Sequence, residues 1–166
     1  ETDMTLIENL KSKNITLTHN GEKVSLQDIN EVIPFDFVDK ENLINFYISY
    51  NGGIFEEKIF FPYEFKNNKY NLIIEGFYKF SLVDSKKIFS DSIEKIILIR
   101  SGYSEEFDDF MDFHFPFAYG AGGDFWIDIQ TGEVKFSDYE LEGYNTEAII
   151  TVAYSFSDFC MKLFKK

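Results

Sequence analysis

Asp124-Phe125-Trp126-Ile127-Asp128-Ile129, followed by Gln130-Thr131-Gly132 and then Glu133-Val134-Lys135-Phe136-Ser137, reads as a β-hairpin. Strict alternation puts Phe125, Ile127 and Ile129 on one face of the first strand and Asp124, Trp126 and Asp128 on the other. Gly132 stands where a hairpin turn tolerates φ > 0, and the return strand buries Val134 and Phe136 while exposing Glu133 and Lys135. Two adjacent strands in register predict an antiparallel sheet.

Working outward, Gly120-Ala121-Gly122-Gly123 invites a phosphate-loop reading. A phosphate loop needs a Lys and a Ser or Thr leading into a helix, whose N–H groups face the anion. Here Asp124 and a strand follow instead, so the glycines are read as a tight approach to the hairpin. Upstream, Ser104 to Met111 places Phe107, Phe110 and Met111 at i, i+3 and i+4, a short amphipathic helix or turn whose acids are solvated. Downstream, Ser155 is a candidate N-cap with Asp158 at N3 of a final helix that buries Phe156, Phe159, Cys160 and Leu163. Lys162, Lys165 and Lys166 then sit near its C-terminus.

The first half is less sharply patterned. Met4 to Lys11 reads as a weak helix on Leu6, Ile7 and Leu10, and Thr18 to Gly21 as a turn. Pro34 stops whatever precedes it. Asp39 to Tyr50 reads as a helix with a stripe of Leu43, Tyr47 and Tyr50 beside Ile44 and Ile48, ended by Asn51-Gly52-Gly53. Ile54 to Phe61 is expected as a strand ending at Pro62, and Leu72 to Phe80 as one interrupted at Gly76. Ser85 to Glu94 reads as a short helix before the apolar run Ile96 to Ile99. No linker or repeat divides the chain. The fold class is therefore α+β: a single domain over residues 1–166, an antiparallel β-sheet flanked by helices, with 1–32 as an N-terminal helix-and-turn extension.

Composition bounds the function. The 166 residues are 45% hydrophobic and 27% charged, the balance of a soluble globular protein. Formal net charge is −13, which argues against nucleic acid and anionic membrane as partners. That charge is concentrated. Between Ser101 and Glu147 twelve acids face one base, Lys135, for a net −11, and the rest of the chain carries −2. Such a block is read as a surface for something cationic, against the alternative of general acidic drift. The single cysteine, Cys160, forms no internal disulfide, and no apolar run reaches the ~20 residues of a membrane helix. The acidic start, Glu1-Thr2-Asp3-Met4, is unlike a signal peptide, so a cytoplasmic location is expected, with an upstream segment implied by the non-Met first residue.

Catalytic chemistry finds little footing. His114 among Asp108, Asp109 and Asp112 could bind a divalent cation, but His19 is remote and no EF-hand or H-E-x-x-H spacing occurs, so a partly buried structural His is preferred. Cys160 lies on an apolar helix face, there is no G-x-S-x-G elbow, and Asp124 with Asp128 reads as a solvated pair rather than an acid/base couple. The expectation is a protein that is not an enzyme and carries no cofactor or metal. Trp126 is the remaining candidate. Uncovered, it is an aromatic anchor between Asp124 and Asp128; covered, it packs under a helix or loop.

Taken in order, Ile33-Pro34, the amphipathic helix, Asn51-Gly52-Gly53, Phe117-Ala118, Gly122-Gly123-Asp124, Asp128, Thr131-Gly132-Glu133-Val134 and Ala153-Tyr154-Ser155-Phe156-Ser157-Asp158-Phe159 resemble the SUKH superfamily. The similarity is to its first group, which includes the yeast cell-wall-assembly regulator, and it spans Ile33 to Leu163. The resemblance implies an α+β fold without catalytic residues. It also implies a bacterial immunity protein that neutralises a cognate polymorphic or contact-dependent toxin, many of which are nucleases, or alternatively a regulatory interaction module. A basic, nuclease-type toxin agrees with the acidic block. The expected partner-binding residues are Glu105, Glu106, Asp108, Asp109, Asp112, Asp124, Trp126 and Asp128, on a monomer.

Overall fold

A computed structural model describes residues 4–82, 90–138 and 148–166. The helices are α1 (Leu6–Ser12), α2 (Leu26–Val32), α3 (Lys40–Ser49), α4 (Ile93–Arg100), α5 (Glu105–Met111) and α6 (Phe156–Lys162). The strands are β1 (Leu17–Thr18), β2 (Gly53–Phe65), β3 (Asn68–Phe77), β4 (His114–Gly120), β5 (Gly123–Asp128), β6 (Val134–Asp138), β7 (Ile149–Ala153) and β8 (Phe164–Lys165). All eight strands form one antiparallel sheet in the order β1-β2-β3-β4-β5-β6-β7, with β8 paired to β2. The expected α+β architecture, an antiparallel sheet flanked by helices, is what the chain adopts. None of the described helices is long and apolar enough to cross a membrane.

The hairpin of Asp124 to Ser137 is β5–β6, with Phe125 opposite Phe136 and Ile127 opposite Val134. Its alternation divides the protein into two layers. Phe125 meets Phe61, Phe136 and Phe159, on the side where α3 and α6 bring Phe46, Phe156 and Phe159 against Phe77 and Phe117. Trp126 points to the opposite side, where Phe107 and Phe110 of α5 pack edge-on against it at ring distances of 5.6 and 5.3 Å. Every residue of β5 is buried. Edge-to-face pairs of this kind add about 0.5–1.5 kcal/mol each beyond area burial.

Helix ends follow local chemistry. Thr5 and Ser25 close capping boxes on α1 and α2, and Ser155 accepts from the Asp158 N–H at 3.1 Å to start α6. The buried stripe of α3 is Leu43, Phe46 and Tyr47, whereas Ile48 of the expected stripe is exposed. Asn51 is more than a helix stop. Buried just past α3, it donates to the Glu22 and Phe80 carbonyls and accepts from the Phe80 N–H at 2.8–2.9 Å, fastening the chain on either side of the sheet's first edge.

Four strand and helix limits differ from the sequence reading. β2 runs through Pro62 to Phe65 because beyond Phe60 it pairs, among the described residues, with β3 alone, a position where a sheet accepts proline. β3 passes Gly76 unbroken, paired with both Ile54 and Tyr119. The helix expected over Ser85 to Glu94 lies partly outside the described residues; the described helix starts at Ile93 and includes Ile96 to Ile99. Lys165 belongs to β8 rather than to the end of α6.

The glycine cluster is a β4–β5 turn, with Gly120 paired to Gly123. A Cβ on Gly120 would stand 1.8 Å from the Ile73 carbonyl oxygen, and one on Gly123 1.9 Å from that of Ser137. At Gly122 it would meet only the Phe136 ring at 3.8 Å. Gly120→Ala and Gly123→Ala are each expected to destabilise by about 2 kcal/mol or more, and Gly122→Ala to change stability by less than about 0.5 kcal/mol. Urea denaturation of the three variants checks this; equal effects would mean that close backbone approach does not set these positions.

Candidate functional site

The acidic block folds into two populations, one buried and one exposed. Asp124, on β5, has a fully buried side chain. Its Oδ1 accepts from the Tyr78 hydroxyl at 2.6 Å and its Oδ2 from the Arg100 Nε at 2.8 Å. Asp128, four residues on, is reached by the Lys135 ammonium at 2.9 Å, and its other oxygen accepts from the Gln130 N–H at 2.8 Å. Trp126 between them is 0% exposed, and its indole N–H donates to the Ser137 hydroxyl at 2.9 Å.

The three anchors expected on β5 are therefore not on the surface. An aromatic flanked by two carboxylates on one strand face has the pattern of a wet interface, yet α4 and α5 cover that face. Covering it is tolerated because each carboxylate gains a cation and further donors. Nor do Asp124 and Asp128 form an acid/base couple, since each is committed to its own cation.

His114 belongs to the same covered layer, with Asp128 and Lys135 rather than with Asp108, Asp109 and Asp112. Its ring stacks on Phe110 at 3.8 Å, and its Nδ1 lies 2.7 Å from the Phe110 carbonyl. A carbonyl only accepts, so Nδ1 carries the proton and Nε2 is left to accept from Lys135 at 3.0 Å. Burial pushes the imidazole below its ordinary pKa, and the Lys135 ammonium adds to this against the pull of the Phe110 carbonyl and Asp128. At Asp128, burial alone would raise the carboxyl; the Lys135 ammonium and the Gln130 N–H overcome it and hold it below the usual carboxylate value. Burial raises the Cys160 thiol well above its ordinary range, which keeps it protonated. Among the described residues no group of three or more His, Cys, Asp or Glu side chains is placed to hold a metal ion.

The exposed population lies on the outer face of α5. Glu105, Glu106, Asp109 and Asp112 are exposed, whereas Asp108 is half-buried and accepts from the Gly102 N–H at 3.0 Å, closing the turn from α4. Apolar groups flank these acids in the chain: Tyr103, just before α5, is 60% exposed, and Phe113, just after it, is also open to solvent. Sequence reasoning found the acids but not this apolar rim, because spacing alone does not say that Tyr103 and Phe113 stay open to solvent. Glu140, Glu142 and Glu147 of the acidic block lie outside the described residues.

No protein-family model, curated protein or solved structure matches this chain, so the resemblance to the SUKH superfamily stands on the sequence motifs alone.

Two outcomes follow. Asp124→Ala, which removes the buried carboxylate that Arg100 and Tyr78 bond, should destabilise by about 3–5 kcal/mol, against less than about 0.5 kcal/mol for Asp109→Ala; thermal or chemical denaturation separates them. Unfolded His114 takes up a proton as pH falls through about 6.5, while the folded imidazole, with its lowered pKa, resists. Stability should therefore fall from pH 7 toward pH 5, and His114→Asn, which keeps a donor for the Phe110 carbonyl, should flatten that slope. An unchanged slope of melting temperature against pH would relieve His114 of this role.

Proposed function

We propose that this protein is a non-catalytic binding domain that meets a cationic protein partner through the outer face of α5, and that the partner is a toxin it neutralises. The observation that carries the reading is one surface: Glu105, Glu106, Asp109 and Asp112 exposed together between Tyr103 and Phe113, which adjoin α5 in the chain and are exposed too. Acids bring a basic partner in by steering, and an apolar rim supplies area that holds once desolvated. A nuclease must attract phosphate and is basic around its active site; an anionic surface competes for that basic cleft. The resemblance to SUKH immunity proteins supports the same partner class.

The buried β5 residues take no part. Asp124, Trp126 and Asp128 hold the cover down, and the contact residues are those on its outside. Asp108 also leaves the set, because its carboxylate closes the α4–α5 turn.

A growth experiment tests the reading. The C-terminal domain of the protein encoded immediately upstream is expressed alone and then with this protein. Killing relieved by co-expression is the expected result; killing that persists, or no killing, would overturn the immunity reading in favour of a regulatory interaction module. With the partner in hand, Asp109→Lys with Asp112→Lys should slow association at low salt about tenfold and flatten its salt dependence, with dissociation little changed. Both positions lie at the C-terminal end of α5, where lysine favours the helix. Unaltered association kinetics would remove this face from the interface.

A further inference from the structure

A groove between α2 and α4 carries chemistry that the outer face of α5 does not use. Val32, Ile97 and Leu98 give it aliphatic walls, and Asp28, Glu31 and Glu94 bring three carboxylates to it. No lysine or arginine among the described residues lines it. Asp28 already accepts from the Ser25 N–H and hydroxyl at 2.8 and 2.9 Å, so it adds mainly charge. Ser81 and Glu94 are different. Ser81 is only 9% exposed and lines the groove, and among the described residues neither its Oγ nor the Glu94 Oε1 has a hydrogen-bond partner, although both atoms are shielded from water.

A buried oxygen with no donor carries an unrecovered desolvation penalty. Two of them on one groove, in a field set by three carboxylates, call for a ligand that donates N–H and is positively charged. A metal ion does not answer this, because the described residues offer no group of three or more ligating side chains placed to hold one. We propose that the groove receives an arginine side chain from a cationic partner segment, with the guanidinium on Ser81 and Glu94 and the methylene stem against Val32, Ile97 and Leu98. Arginine fits better than lysine: its planar fork presents five donors to separate acceptors, it is more weakly hydrated than an ammonium, and its stem packs on apolar walls. The source of the arginine rests on the cationic-partner reading above, but the site is tested on the isolated chain.

The test is an NMR titration of the ¹⁵N-labelled protein with N-acetyl-Ala-Arg-Ala-amide, using the neutral citrulline peptide as control. Saturable shifts at the amides of Ser81, Glu94 and Ile97, with a Kd on the order of 1 mM and none from citrulline, are expected. Glu94→Gln and Ser81→Ala should each weaken binding about fivefold. Ser81→Ala should at the same time leave the melting temperature unchanged or raise it, since the hydroxyl it removes has no partner in the free protein. Shifts confined to Asp109 and Asp112, equal response to citrulline, no response at all, or a melting temperature lowered by Ser81→Ala would each overturn the assignment. A failed growth rescue with the arginine response intact removes the immunity reading and leaves the groove standing.

Discussion

Burial of β5 on both faces is the constraint on which the rest of the structure depends. A strand covered on one side only could leave Asp124, Trp126 and Asp128 in water, and α4 and α5 would be optional. Once both faces are covered, an indole and two carboxylates must be satisfied without solvent. Arg100 from the end of α4, Tyr78 just past β3, and Lys135 and Ser137 from β6 supply the partners. They come from three separate parts of the chain, so the covered face is assembled only when the sheet order is complete. A buried ion pair is weak support for stability in itself, but losing one partner is severe, and that asymmetry ties α4 to the sheet.

The opposite layer works by another rule. Phe46, Phe77, Phe117, Phe125, Phe156 and Phe159 form a connected set of aromatic contacts between α3, α6 and the centre of the sheet. Few hydrogen bonds are needed there. The Tyr47 hydroxyl, buried with them, donates to the Tyr78 carbonyl at 2.8 Å, so one group spans from α3 to the strand end that also holds Asp124. The apolar layer thus supplies burial while the polar layer fixes where α4 and α5 sit.

How far the sequence discloses this depends on the range of the interaction. Alternation from Phe125 to Ile129 and the Gly132 turn are local, and they place β5–β6 with its correct facing. The cap at Ser155 is equally local. Ser25-Leu26-Gln27-Asp28 carries the same Ser-x-x-Asp capping signature for α2, equally local and readable ahead of the stop at Pro34. His114 to Gly120 and Ile149 to Ala153 are strands with no strong local signature, since β4 is buried nearly throughout and β7 joins the edge beside β6. The state of Trp126 could not be read locally at all. Its cover is α5, whose Phe107 and Phe110 were visible as a helical stripe, but nothing in the spacing says which face of which strand that stripe meets.

That pairing bears on function. The acids of the block are split by the amphipathicity of α5: the helix turns Phe107 and Phe110 inward onto Trp126 and so must turn Glu105, Glu106 and Asp109 outward. Residues that hold the helix down and residues that face solvent are consequently different, although they alternate along seven positions. Charge at the exposed Asp109 can then change with little penalty to folding, because it points away from the layer beneath. An inner substitution cannot be so confined, since it would move the whole acidic face at once. Under the proposed reading, recognition placed on the outside of a fixed cover would let specificity shift while the fold stays put.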